Sequence, residues 1–125
     1  MSTRRLPVRA SLNFRRNLER IRTFLDAAQA PREFDALIDR LAVDIVPTLG
    51  RYPELGADFL GRAPLSVEGR ALFARAAALL GPDDSLRQLV SGDYILLYVV
   101  QDRAIYLLSI RHHRELSFDF QGHWP

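Results

Sequence analysis

A chain of 125 residues is long enough to bury one core and short for two, so a single domain spanning residues 1–125 is expected. With 48% hydrophobic and 26% charged residues the composition is globular; no apolar stretch nears the roughly 20 residues that cross a bilayer, and the lack of cysteine excludes disulfides and thiolate zinc sites. The net charge is only +2, and all 17 basic residues are arginine, a bias that a GC-rich genome produces as readily as a need for forked phosphate or carboxylate contacts, so charge alone does not imply nucleic-acid binding.

The opening MSTRRLPVRAS is basic but lacks the apolar core of about 7 to 15 residues found in a secretory signal, and the cytoplasm is the expected compartment. LPVRASL sets Leu6, Val8, Ala10 and Leu12 against Pro7, Arg9 and Ser11, the period of a strand with one buried face, and Pro7 points to an edge. From Asn13 the period changes. Phe14, Leu18, Ile21 and Leu25 recur at helical spacing while Arg15, Arg16, Glu19, Arg22 and Asp26 take the other side, giving an amphipathic helix with Asn13 as N-cap. Ala30-Pro31 punctuates, and Pro31 suits the first turn of a second helix whose apolar positions are Phe34, Leu37, Ile38, Leu41 and Ile45. So short a connection implies an antiparallel helix hairpin. Pro47 is expected to end or kink the second helix, with Gly50, Pro53 and Gly56 marking its exit loop.

Residues 57–65 read as irregular. SVEGRALFARAAALLGP then reads as a third helix, capped by Ser66 and stopped by Gly81-Pro82, with Leu72, Phe73, Ala76, Leu79 and Leu80 as its apolar side. The remainder reads as sheet: LRQLVS, a two-residue Gly92-Asp93 turn and YILLYVV form a hairpin, and QDR leads into AIYLLSIRHH. YILLYVV is apolar on both faces and is therefore expected to be a central strand covered on both sides. The expected fold class is α+β: an N-terminal strand, an antiparallel helix hairpin, an inserted third helix over about 64–82, and a C-terminal three-stranded antiparallel meander.

This order, together with PTLGRYPELG, LRQLVSGDYILLYVV and AIYLLSIRHHRE, resembles the RelE/ParE superfamily of toxins from bacterial type II toxin-antitoxin (plasmid stabilisation) systems, and in particular its ParE-like branch. The GR-x-P-E-like turn of that branch is matched by Gly50, Arg51, Pro53 and Glu54. Its G-x-Y-x-[IL]-x-Y hairpin is matched by Gly92, Tyr94, Leu96 or Leu97, and Tyr98, and its basic, histidine-containing strand end by Arg111 to Arg114. The helix expected at Ser66 to Gly81 departs from the minimal fold. The resemblance implies a growth-inhibiting toxin that acts on DNA gyrase, is not itself a nuclease, uses no cofactor, and is neutralised by a cognate antitoxin in a hetero-oligomer. The alternatives it implies are a RelE-like endoribonuclease acting on mRNA at the ribosome, and a non-toxic fold relative. The antitoxin implied is a small, partly disordered protein that sets acidic groups against arginines. Arg15, Arg16, Arg22 and Arg51 are candidates for those contacts, and a plain solvated helix face accounts for them equally well.

Cleaving RNA through its own 2′-hydroxyl needs a proton acceptor, a proton donor and cations around the phosphorane. Arg111, His112, His113, Arg114 and Glu115 supply all three residue types. Neighbours on a strand point to opposite faces, however, so His112 and His113 serve one site only where the strand has ended. Ribonuclease members of the family commonly place a basic residue just after the first tyrosine of the central strand, where this chain has Ile95. They often add a tyrosine in the tail, where it has Phe118 and Phe120, which carry no proton to transfer. The non-nuclease reading is preferred, and no catalytic residue is assigned. A metal site is not expected either, since paired histidines followed by a distant His123 lack converging ligands.

The Gly92-Asp93 turn sets Ser91 opposite Tyr94, Leu89 opposite Leu96 and Arg87 opposite Tyr98, so Arg87, Tyr94 and Tyr98 share a face. With Arg111, His112, His113 and Arg114 they form a candidate surface for the toxin's target. The competing reading makes Tyr94 and Tyr98 core aromatics with Arg87 stacked over them. A three-residue QDR loop puts His112 on the Tyr98 face, and a two-residue loop puts Arg111 there. The tail ELSFDFQGHW is expected to fold back so that Leu116, Phe118, Phe120 and Trp124 cover apolar surface.

Overall fold

A computed structural model describes residues 5–58, 80–81 and 83–112. Along the chain run β1 (Val8–Ala10), α1 (Leu12–Ala27), α2 (Pro31–Arg40), a π-helical turn (Leu41–Ile45), α3 (Val46–Arg51), β2 (Ala57–Asp58), β3 (Ser85–Ser91), β4 (Tyr94–Val100) and β5 (Ile105–His112). The fold is α+β: one five-stranded mixed sheet in the order β1-β5-β4-β3-β2, with β1 parallel to β5 and every other pair antiparallel. The helix expected at 66–81 lies outside the described residues but for Leu80 and Gly81, which are not helical, and the tail 113–125 lies outside them too. No helix among the described residues is long and apolar enough to cross a membrane.

The alternation in the first segment gives a strand only as far as Ala10. Ser11, not Asn13, caps α1: its backbone is extended, and its Oγ accepts the Phe14 N–H at 3.1 Å. Leu12 thereby becomes the first helical residue and turns outward, 58% exposed, instead of continuing the buried face of the strand. Phe14, Ile21 and Leu25 of α1 enter the core as their spacing requires. The helix closes with Gln29 in the left-handed region at φ 59°, the Ala30 N–H bonded to the Leu25 carbonyl at 2.8 Å and the Gln29 N–H to the Asp26 carbonyl at 3.1 Å. That is a Schellman closure, and Pro31 starts α2 immediately after it.

Pro47 does not end the second helix. The rod passes through the π turn, where the Val46 N–H reaches back to the Leu41 carbonyl, and continues to Arg51. Pro47 has no N–H for the next bond in the ladder, so the wide turn falls where an α-helical bond could not form. It also keeps the stripe aligned. Leu37, Leu41, Ile45 and Leu49 recur every fourth residue, against about 3.6 per α-helical turn, and the extra residue in the π turn takes up the drift so that all four stay buried.

The hairpin register is the expected one, with Arg87 opposite Tyr98, Leu89 opposite Leu96 and Ser91 opposite Tyr94. β4 lies centrally, and both of its faces are buried: Tyr94, Leu96 and Tyr98 join the core under the helices, while Leu97 and Val99 point the other way and are also buried. β2 is a correction, because Ala57 and Asp58, read as irregular, pair with Gln88 and Arg87 of β3. The β4–β5 connection corrects both loop lengths considered. Val100 pairs with Ile105, so four residues intervene, and on parity alone Arg111 would share the Tyr98 face. A bulge where the register shifts between Leu97 and Tyr98 adds one residue to β5 and reverses the parity, so that Tyr94 pairs with His112 and Ile95 with Arg111.

Candidate docking site

The polar residues of interest gather at the two ends of the sheet. At the Tyr94 end, the His112 ring stands edge-on to the Tyr94 ring, with centroids 5.3 Å apart and planes at 87°. Beside them Glu33, Leu37 and Arg40 of α2 meet the Gly92-Asp93 turn around a cleft of about 210 Å³. Gly92 lies at φ 58°, so the turn needs glycine for its backbone, and the Arg40 guanidinium lies over it, Nη1 2.6 Å from where a Cβ would stand. The Tyr94 phenol is held above its ordinary pKa, first by burial and then by the Glu33 and Asp93 carboxylates, with Arg40 acting in the opposite direction. Arg111 lies on the far face opposite Ile95, so Arg111 and His112 diverge. His113, Arg114 and Glu115 lie outside the described residues.

At the other end Tyr98 is fully buried and anchors the exit loop of the second helix. Its hydroxyl donates to the Pro53 carbonyl at 2.8 Å and accepts the Gly56 N–H at 2.8 Å. Burial raises its pKa most, and Glu54 adds to that, while the Gly56 hydrogen bond and Arg87 oppose it. Gly56 allows this approach, for a Cβ there would lie 2.7 Å from the Gln88 carbonyl oxygen and 2.8 Å from Tyr98 Oη. Arg87 Nη1 donates to the Gly56 carbonyl at 3.3 Å. The joint surface proposed for Arg87, Tyr94 and Tyr98 therefore does not form: Tyr94 is 8% and Tyr98 0% exposed beneath the helices, and Tyr98 and Arg87 hold a loop. Tyr94 and Tyr98 are core aromatics, as the competing reading has them, while the contact Arg87 makes is with the Gly56 carbonyl.

Arg15, Arg16 and Arg22 are all exposed on α1. Arg51, also exposed, stands apart from them at the end of α3, on the rim of a second cleft of about 670 Å³. Arg40 and Asn17 went unmarked in the sequence, and Asn13 was marked only as a helix cap; the one-turn spacing of the two amides on an otherwise apolar stripe is the one signal of their pairing. Among the described residues no group of three or more His, Asp or Glu side chains is placed to hold a metal ion. In comparison with known proteins, no family model matches the chain and no curated protein is significantly similar to it.

Proposed function

We propose that the chain is the toxin of a type II toxin-antitoxin system, of the ParE-like kind, inhibiting DNA gyrase and neutralised by a cognate antitoxin. The observation that carries the reading is the helix hairpin laid across one face of an antiparallel meander whose register follows the GDYILLY motif. The motif residues have structural work consistent with it: Gly92 admits Arg40 at the turn, Tyr98 fastens the GRYPELG loop, and Tyr94 packs against His112. Non-nuclease action is favoured over RNA cleavage because Arg111 and His112 point away from each other and the residue after Tyr94 is Ile95. Arg15, Arg16 and Arg22 on α1 and Arg51 beyond it are the contacts proposed for an acidic antitoxin. Induction of the chain in growing bacteria tests this. Growth arrest with broken chromosomal DNA and intact message supports the reading; arrest with cut message transfers it to the endoribonuclease branch, and undisturbed growth makes the chain a non-toxic relative.

A further inference from the structure

The larger cleft, of about 670 Å³, lies where the end of α3, the loop that follows it and the β4–β5 connection converge. Leu6, Tyr52, Leu55 and Val100 make its lining largely apolar. Two of these are left in the open, Tyr52 at 57% and Leu55 at 51% exposure. Large apolar side chains held open in a concavity are what the anchor residue of a partner covers. The rim carries both signs of charge: Arg51 on the helix side, Asp102 on the hairpin side and Glu54 in the loop between. None of the three has an ion pair or side-chain hydrogen bond among the described residues.

Part of the backbone of these walls is already committed. The Tyr52 carbonyl accepts the Leu55 N–H at 3.0 Å, the Pro53 carbonyl accepts the Tyr98 hydroxyl at 2.8 Å, and the Gln101 N–H donates to the Ala104 carbonyl at 2.9 Å. No edge strand is among the lining residues, so recognition there runs through side chains, not through addition of a strand. A small molecule is enclosed over most of its surface in its site, which such open walls do not provide. We propose that this cleft docks a short peptide segment of a protein partner. The segment inserts an aromatic or large aliphatic anchor among Tyr52, Leu55 and Val100, sets a carboxylate against Arg51, and sets a cation against Asp102 and Glu54. Tyr98 acts as a positioning residue, fixing the loop that forms one wall. The assignment stands whether or not the chain inhibits gyrase.

The test is an NMR titration of the isotope-labelled full chain with a capped pentapeptide SDFRS and its anchorless counterpart SDARS. SDFRS shifts the amides of residues 51–55 and 100–102, and SDARS binds at least about tenfold more weakly. Tyr52→Ala abolishes binding, whereas Arg51→Glu weakens it about fivefold, as loss and reversal of an exposed charge contact would. Tyr98→Phe also weakens binding while the spectrum of the sheet is preserved, which separates loop positioning from unfolding. The proposal is overturned if SDFRS shifts no amides at millimolar concentration, if the shifts fall at the Tyr94–His112 end, or if SDARS binds equally well.

Discussion

Asn13 and Asn17, one turn apart on α1, do for the edge of β5 what a longer neighbouring strand would. β1 pairs only as far as Leu107, and beyond it the Leu108 carbonyl accepts Asn13 Nδ2 at 2.9 Å and the Ser11 hydroxyl at 3.2 Å, while the Ile110 N–H donates to Asn17 Oδ1 at 3.0 Å. With no strand beside β5 past Leu107 these backbone groups would otherwise lack partners, and buried groups left unpaired are costly. Asn17→Leu is expected to destabilise the chain by about 1–3 kcal/mol in urea denaturation. Asn13→Leu should cost less, because the Leu108 carbonyl keeps the Ser11 hydroxyl; equal costs would contradict this account. Gly56→Ala, which forces a methyl against the Gln88 carbonyl and the Tyr98 hydroxyl, should cost about 1–3 kcal/mol by the same measurement. Neither amide was legible as a sheet ligand, since an asparagine at a helix start reads as a cap and a lone polar residue within an amphipathic pattern carries no sign of a distant strand. Tyr98 was legible as a member of the hairpin, but its hydroxyl partners come from a loop 42 and 45 residues earlier, which no local pattern encodes.

At the scale of elements, the hairpin register was readable because the Gly92-Asp93 turn leaves the alternating strands one pairing. The His112 face was not, because it depends on a four-residue loop and a bulge whose parities cancel, and the bulge has no glycine or proline to mark it. The helix hairpin was readable from the spacing of Phe14, Ile21, Leu25, Leu37 and Leu41, all buried. Whether the helix ends or runs on at Pro47 was not, since the wide turn before the proline is a geometric response that the proline alone does not specify. The α1–α2 junction yields a prediction of its own. Gln29 holds a left-handed conformation that costs a side-chain-bearing residue about 1 kcal/mol. Gln29→Gly is therefore expected to raise stability by up to about 1 kcal/mol, read as a higher urea midpoint at unchanged slope, whereas a lower midpoint would show that the Gln29 side chain contributes more than its backbone costs.

For the whole molecule, the absence of lysine and cysteine simplifies alkaline behaviour, because arginine stays charged beyond about pH 12 and tyrosine is left as the side chain that titrates near pH 10. Tyr94 and Tyr98 have pKa values raised above 10.0 in the folded chain, so the folded state holds these protons more tightly than the unfolded one. Their contribution is whole below about pH 10 and is lost as the pH climbs through the raised values. The urea midpoint should fall in that window, and Tyr94→Phe should make the fall shallower; a midpoint that stays level throughout would contradict the buried placement of both phenols. The proposed activity is likewise a property of the whole fold, since the arginines of α1, the Arg51 rim and the His112 end lie on different elements. The most direct measurement is the supercoiling of relaxed plasmid by purified gyrase in the presence of the purified chain, with a ribosome-bound message in a parallel reaction. Loss of supercoiling with the message left whole is the predicted result, and undiminished supercoiling at excess protein would contradict the account.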